Sequence, residues 1–145
     1  HLDFPTGLGA WGTYVLGVCE PASPEEVAWT KSVFDERYVQ GLDPSGVLYE
    51  IHGEFGAWCK QRLNSIKYHA VLAEFGTYPS LKVLAALRDE NRAHHWDSGN
   101  ASSLLKSKGK LKEAFAPKSE KWRSLVVDKG LAIVEQAVAA VHPNH

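Results

Sequence analysis

Methionine is absent from the 145 residues, cysteine occurs twice, and no apolar run approaches the roughly 18 residues that a bilayer-spanning helix requires. The last absence excludes a membrane span. The N-terminus also lacks the basic-then-apolar order of a secretory signal. Two cysteines, Cys19 and Cys59, are too few for a disulfide scaffold and offer no thiolate set for zinc. Idle buried thiols are the simpler reading, and a single bridge between them stays open. An excess of charge is missing too. Sixteen Lys and Arg against seventeen Asp and Glu leave a net charge of -1, so no broad field draws nucleic acid or an anionic membrane. A water-soluble chain, with the cytoplasm the favoured compartment, is the expectation. Without methionine and with His1 first, a processed or excised chain is also expected.

What is present is the apolar content of one ordinary globular domain, 44% hydrophobic with 23% charged residues. Ser23-Pro24-Glu25-Glu26 combines a capping serine, a proline at the first helical position and a glutamate at the third. This start signal predicts a helix over 24–38. Turn chemistry at Gly41, Asp43 and Pro44 ends it. Ile51, Phe55, Trp58, Cys59 and Leu63 recur at helical spacing and predict a second helix over 48–63, despite Gly53 and Gly56. The apolar run 66–73 suits a buried strand with Glu74 at its carboxyl end.

Pro79 opens a further helix that ends near Trp96. Residues 102–112 are polar and basic and are expected to form a surface loop passing into a short helix before Pro117. Ser119 caps a last helix whose apolar residues, from Trp122 to Val141, keep the helical period until Pro143. At the other end, 2–4 and 12–18 read as strands. Strands alternating with helices predict one α/β domain over 1–145, three-layered, with a mixed or parallel sheet flanked by helices.

Ligands in open α/β sheets sit beyond the carboxyl ends of strands. Two segments have that character: Asp3-Phe4-Pro5-Thr6-Gly7-Leu8-Gly9, a strand running into a glycine-rich turn, and Glu74-Phe75-Gly76-Thr77. A carboxylate leaving an apolar strand gains a raised pKa from partial burial and can act as a general base. It can equally be a structural carboxylate that caps the next helix.

These two motifs, the segment 81–92 and the ending from Phe115-Ala116-Pro117 through Trp122-Arg123 to Gly130 resemble the C-terminal part of the zinc carboxypeptidase superfamily, in its uncharacterised bacterial branch. The resemblance implies a partial carboxypeptidase-like fold and, in the complete protein, hydrolysis of peptide or amide bonds with zinc as cofactor. It makes Glu74 the catalytic residue and places Thr6, Gly7 and Thr77 at the substrate. In the family pattern, Asp-x-His-Thr-Gly-Leu-Gly supplies one zinc ligand through its histidine, and an earlier His-x-x-Glu supplies two more. Here Pro5 stands in the place of that histidine, and no His-x-x-Glu occurs; His52-Gly53-Glu54 is one residue short.

Proline has no side-chain lone pair for a metal, so no metal ligands are assigned and no zinc is expected in this chain. His1 lies four residues from Pro5, about 13 Å along an extended strand and too far to replace it. His69, mid-strand, is expected to be a sheet-face or core histidine. His52, His94 and His95 read as surface residues, and His142 and His145 as tail. The partner expectations are the missing N-terminal half or a second copy, with neither nucleic acid nor membrane. The alternative to the hydrolase is a non-catalytic α/β binding or assembly module with a degenerate metal site.

Overall fold

The computed structural model describes residues 1–19, 22–40, 48, 53–63, 67–97 and 99–142. Its elements follow in the order β1 (Leu2–Asp3), β2 (Tyr14–Val18), α1 (Pro24–Val33), β3 (Val39–Gln40), α2 (Phe55–Arg62), β4 (Val71–Phe75), α3 (Ser80–Trp96), α4 (Ala101–Phe115) and α5 (Glu120–Val141), with one 3-10 turn, Glu36–Tyr38, between α1 and β3. The strands form one mixed sheet in the order β1-β4-β2-β3. β1 runs parallel to β4, β3 runs parallel to β2, and the central pair β2 and β4 is antiparallel. The fold is α/β, with this sheet flanked by five helices.

Every residue of β4 is buried, as a central strand covered on both faces demands. Val71, Ala73 and Phe75 point to one face and join Leu16, Phe34 and Ile133 in the main core, with Trp29, Val33, Val126 and Ala137 packed against it. α1 and α5 therefore cover that face. Leu72 and Glu74 alternate onto the other face. There a Cβ at Gly17 would overlap the side chain of Leu48.

Helix α1 starts as expected. Ser23 and Glu26 exchange the two reciprocal hydrogen bonds of a capping box, with Pro24 at the first turn. It ends at Val33 rather than near residue 38, because Phe34 turns extended and enters the core, and Asp35 caps the separate 3-10 turn. The expected turn at Gly41, Asp43 and Pro44 lies outside the described residues. So do Ile51 and His52, at the start of the expected second helix, and Pro143, the expected stop of the last one. That second helix begins at Phe55 rather than at residue 48, because Gly53 has φ +81 and Glu54 is extended.

β4 is displaced along the sequence, covering Val71–Phe75 instead of 66–73. Glu74 is consequently its penultimate residue rather than the first beyond it. His69 precedes the strand, half-buried and stacked on Trp29 with ring centroids 3.7 Å apart. The expected loop over 102–112 is a correction of kind. Residues Ala101–Phe115 form a helix capped by Asn100, whose side chain accepts from the Ser103 amide at 3.1 Å. It packs against α3 as a helical hairpin, and Lys110 Nζ meets Asp89 across the pair at 2.7 Å.

Candidate functional site

Two backbone hydrogen bonds, which together make one parallel bridge, bring the glycine-rich turn to the end of β4. The Phe75 amide donates to the Pro5 carbonyl at 2.9 Å, the Gly7 amide donates to the Phe75 carbonyl at 3.0 Å, and Thr6 forms a parallel bridge with Phe75. The turn then reverses through Gly7, Gly9 and Gly12, whose φ values of +134, +99 and +68 lie where only glycine is unstrained. Past the strand end, the Gly76 carbonyl accepts from the Gly12 amide at 3.0 Å and from buried Trp122 Nε1 at 2.9 Å.

Glu74 sits beneath this turn and is 5% exposed. The Leu8 amide donates to Glu74 Oε1 at 2.9 Å, a contact between residues far apart in sequence that the two motifs create only when folded together. Burial raises the carboxyl pKa above its ordinary 4.5, the Leu8 hydrogen bond opposes that, and the Asp3 carboxylate adds to it. The result is a buried carboxylate held in a fixed direction at the carboxyl end of a central strand, suited to taking up and returning a proton.

The other expected site residues divide. Thr6 Oγ1 donates to the Phe115 carbonyl at 2.6 Å, so its hydroxyl ties the turn to the end of α4. The amide of Gly7 is committed to Phe75, as above. Thr77 is 1% exposed, and among the described residues its hydroxyl has no hydrogen-bond partner. The two contacts that sequence reasoning missed are those of the Leu8 amide and of Trp122. A glycine-rich turn advertises exposed amides, but nothing local says which amide meets which carboxylate. Trp122 shows in the sequence only as an apolar helical position.

Pro5 carries no side-chain donor, and its carbonyl accepts from Phe75. No group of three or more His, Cys, Asp or Glu side chains placed to hold a metal occurs among the described residues. The residues around Glu74 therefore do not fit a zinc site of the family pattern. The cysteines lie elsewhere, both buried and unbridged. The Cys19 thiol, which donates to Glu54 Oε1 at 3.3 Å, is pushed up to about 12 by burial and by that carboxylate. It is a poor nucleophile in this state.

Residues 1–129 match the model of a family described as a protein of unknown function, DUF2817. The chain belongs to that family. No curated protein and no solved structure matches it. The family's description assigns no activity, so the carboxypeptidase resemblance of this DUF2817 member rests on its motifs alone. No helix among the described residues is long and apolar enough to cross a membrane.

The raised pKa of Glu74 has a measurable sign. In the unfolded chain the carboxyl loses its proton near pH 4.5, whereas the folded protein retains it to higher pH. Between those two values the native state binds the extra proton, so stability falls as pH rises, with a limiting slope of about 1.4 kcal/mol per pH unit. Glu74→Gln keeps an acceptor oxygen for Leu8 and removes the titration. Urea unfolding across pH is expected to show wild-type stability declining above about pH 4.5 relative to the variant. Parallel curves would contradict the burial of this carboxylate.

Proposed function

We propose that residues 1–145 form the carboxylate-bearing, C-terminal portion of a carboxypeptidase-like hydrolase acting on peptide or amide bonds, in which Glu74 is the proton acceptor and donor. The supporting observation is the buried Glu74 carboxyl, fixed by the Leu8 amide at the strand end where α/β sheets place their ligands. On this reading Glu74 takes a proton from the attacking water and returns it to the leaving amine nitrogen. The turn carrying Thr6 and Gly7 and the strand-end residue Thr77 border the substrate. A general base alone contributes 10²- to 10⁴-fold, far below what amide hydrolysis demands, so the segment is inactive by itself and metal-holding residues belong to the remainder of the complete protein.

Pro5 favours a second reading, a non-catalytic module whose metal site has degenerated. The assay that separates the two uses a panel of peptides with free C-termini, at saturating zinc. The complete protein is expected to turn them over, with kcat lowered about 10²- to 10⁴-fold by Glu74→Gln, while residues 1–145 alone show none. An inactive complete protein carrying a folded site would select the module. Turnover by residues 1–145 that vanishes in Glu74→Ala would overturn the claim that the segment is inactive alone.

A further inference from the structure

Helix α5 buries one side against the sheet through Trp122 and Ile133 and exposes another that is equally apolar. Val127, Leu131, Val134, Val138 and Val141 are 39% to 62% exposed. They recur at intervals of four, three, four and three residues. That is the alternation of a coiled-coil seam, in which each side chain inserts between residues of a facing helix with the same spacing. The stripe covers 15 residues, about 21 Å of helix. Only its first member falls within residues 1–129, the span shared with the family.

We infer that this face of α5 is a homodimer interface, in which the α5 helices of two copies pair in parallel and in register. A second copy supplies a seam of identical spacing by symmetry. The flanking charges choose the direction. In a parallel pair Arg123, beside the seam on one edge, faces Asp128 on the opposite edge of the second copy, and symmetry makes this attraction twice. In an antiparallel pair the edge carrying Asp128 and Glu135 meets its own counterpart, setting carboxylates against carboxylates. Among the described residues the Arg123 side chain has one hydrogen-bond partner, the Pro117 carbonyl, to which Nε donates at 3.1 Å, so its terminal nitrogens can reach a second copy. Asp128 has only the Ser124 hydroxyl, at 3.3 Å, as its described partner. The same two acidic residues disfavour an anionic lipid surface, which calls for Lys and Arg beside the apolar face.

Sedimentation equilibrium of residues 1–145 is the test. Because the seam is short, a reversible dimer is expected at about 100 µM protein and dissociation on dilution. Leu131→Glu with Val138→Glu should yield a monomer with unchanged helical circular dichroism, since both side chains face away from the core. Arg123→Glu should weaken the dimer several-fold, and adding Asp128→Arg should restore it. Val127→Cys should cross-link to itself on mild oxidation, since in-register parallel helices bring the two copies of residue 127 together, whereas antiparallel ones oppose it to residue 141. Three results would overturn the proposal: a monomer at that concentration, a dimer indifferent to the paired glutamates, or a dimer in which neither the charge exchange restores association nor the cysteines join.

Discussion

Gly76→Ala is expected to destabilise the protein by about 3 kcal/mol or more, the upper end of what overpacking costs. A Cβ at Gly76 would overlap the Ala10 carbonyl oxygen and lie 2.6 Å from the Ala10 carbonyl carbon and 2.7 Å from that of Gly9. All three atoms are backbone, and that backbone is pinned on either side by the Leu8 amide on Glu74 and the Gly12 amide on Gly76. No rotamer change can relieve the overlap. The turn would have to lift away from β4, taking the Leu8 hydrogen bond with it, so the same variant should also change the titration of Glu74. Gly109→Ala is the control. That glycine lies in the exposed part of α4 with open space around its Cβ position, and alanine there should stabilise by about 1 kcal/mol through helix propensity alone. Urea unfolding of the two variants beside the wild type should give effects of opposite sign. A Gly76→Ala protein of unchanged stability would mean that the turn does not rest on the strand end.

That close approach explains which parts of the molecule were legible in its sequence. α3 and α5 were, because each has one face that follows the helical period and a clear start at Pro79 or Ser119. α1 was legible at its start for the same reason, since its cap is local chemistry. The α/β class followed from the alternation of elements, which left the sheet mixed or parallel; the antiparallel pairing of β2 with β4 makes it mixed.

α4 was not legible. Lys106, Lys108, Lys110 and Lys112 around Gly109 look like a solvated run, and its buried positions are the small residues Ser107 and Ala114. Small residues let two helices approach without writing an apolar stripe into the sequence. The limits of β4 are hidden in the sequence for a different reason. Residues 67–70 are partly apolar, but the chain beside them bonds through isolated contacts, Cys19 amide to Ala70 carbonyl and the His1 amino group to the His69 carbonyl, and a ladder forms only from Val71 onward.

The candidate site was legible as two motifs but not as an arrangement. A strand-end carboxylate and a glycine-rich turn are each visible within a few residues. The hydrogen bond that joins them spans a sequence separation of 66, and it depends on β1 lying parallel beside β4, a pairing that no local pattern encodes. The mismatch at Pro5 was, by contrast, fully legible, because it is a statement about side-chain chemistry and not about geometry.

Trp122 shows how one residue can be read correctly and still incompletely. As an apolar position on the inner face of α5 it is buried, at 5% exposure, and Trp122→Ala is expected to cost about 3–5 kcal/mol from lost burial and the cavity left behind. Its indole nitrogen adds a directional contact, donating to the Gly76 carbonyl that also receives the Gly12 amide. Trp122→Phe retains most of the ring but not the donor. Because the Gly12 amide continues to satisfy that carbonyl, the loss should be only about 1 kcal/mol from the hydrogen bond, plus a modest packing term. Chemical denaturation of both variants separates the two contributions, with the alanine protein much the less stable. Equal losses would instead assign the stability to the hydrogen bond, and would make α5, through Gly76, the element that clamps the turn over Glu74.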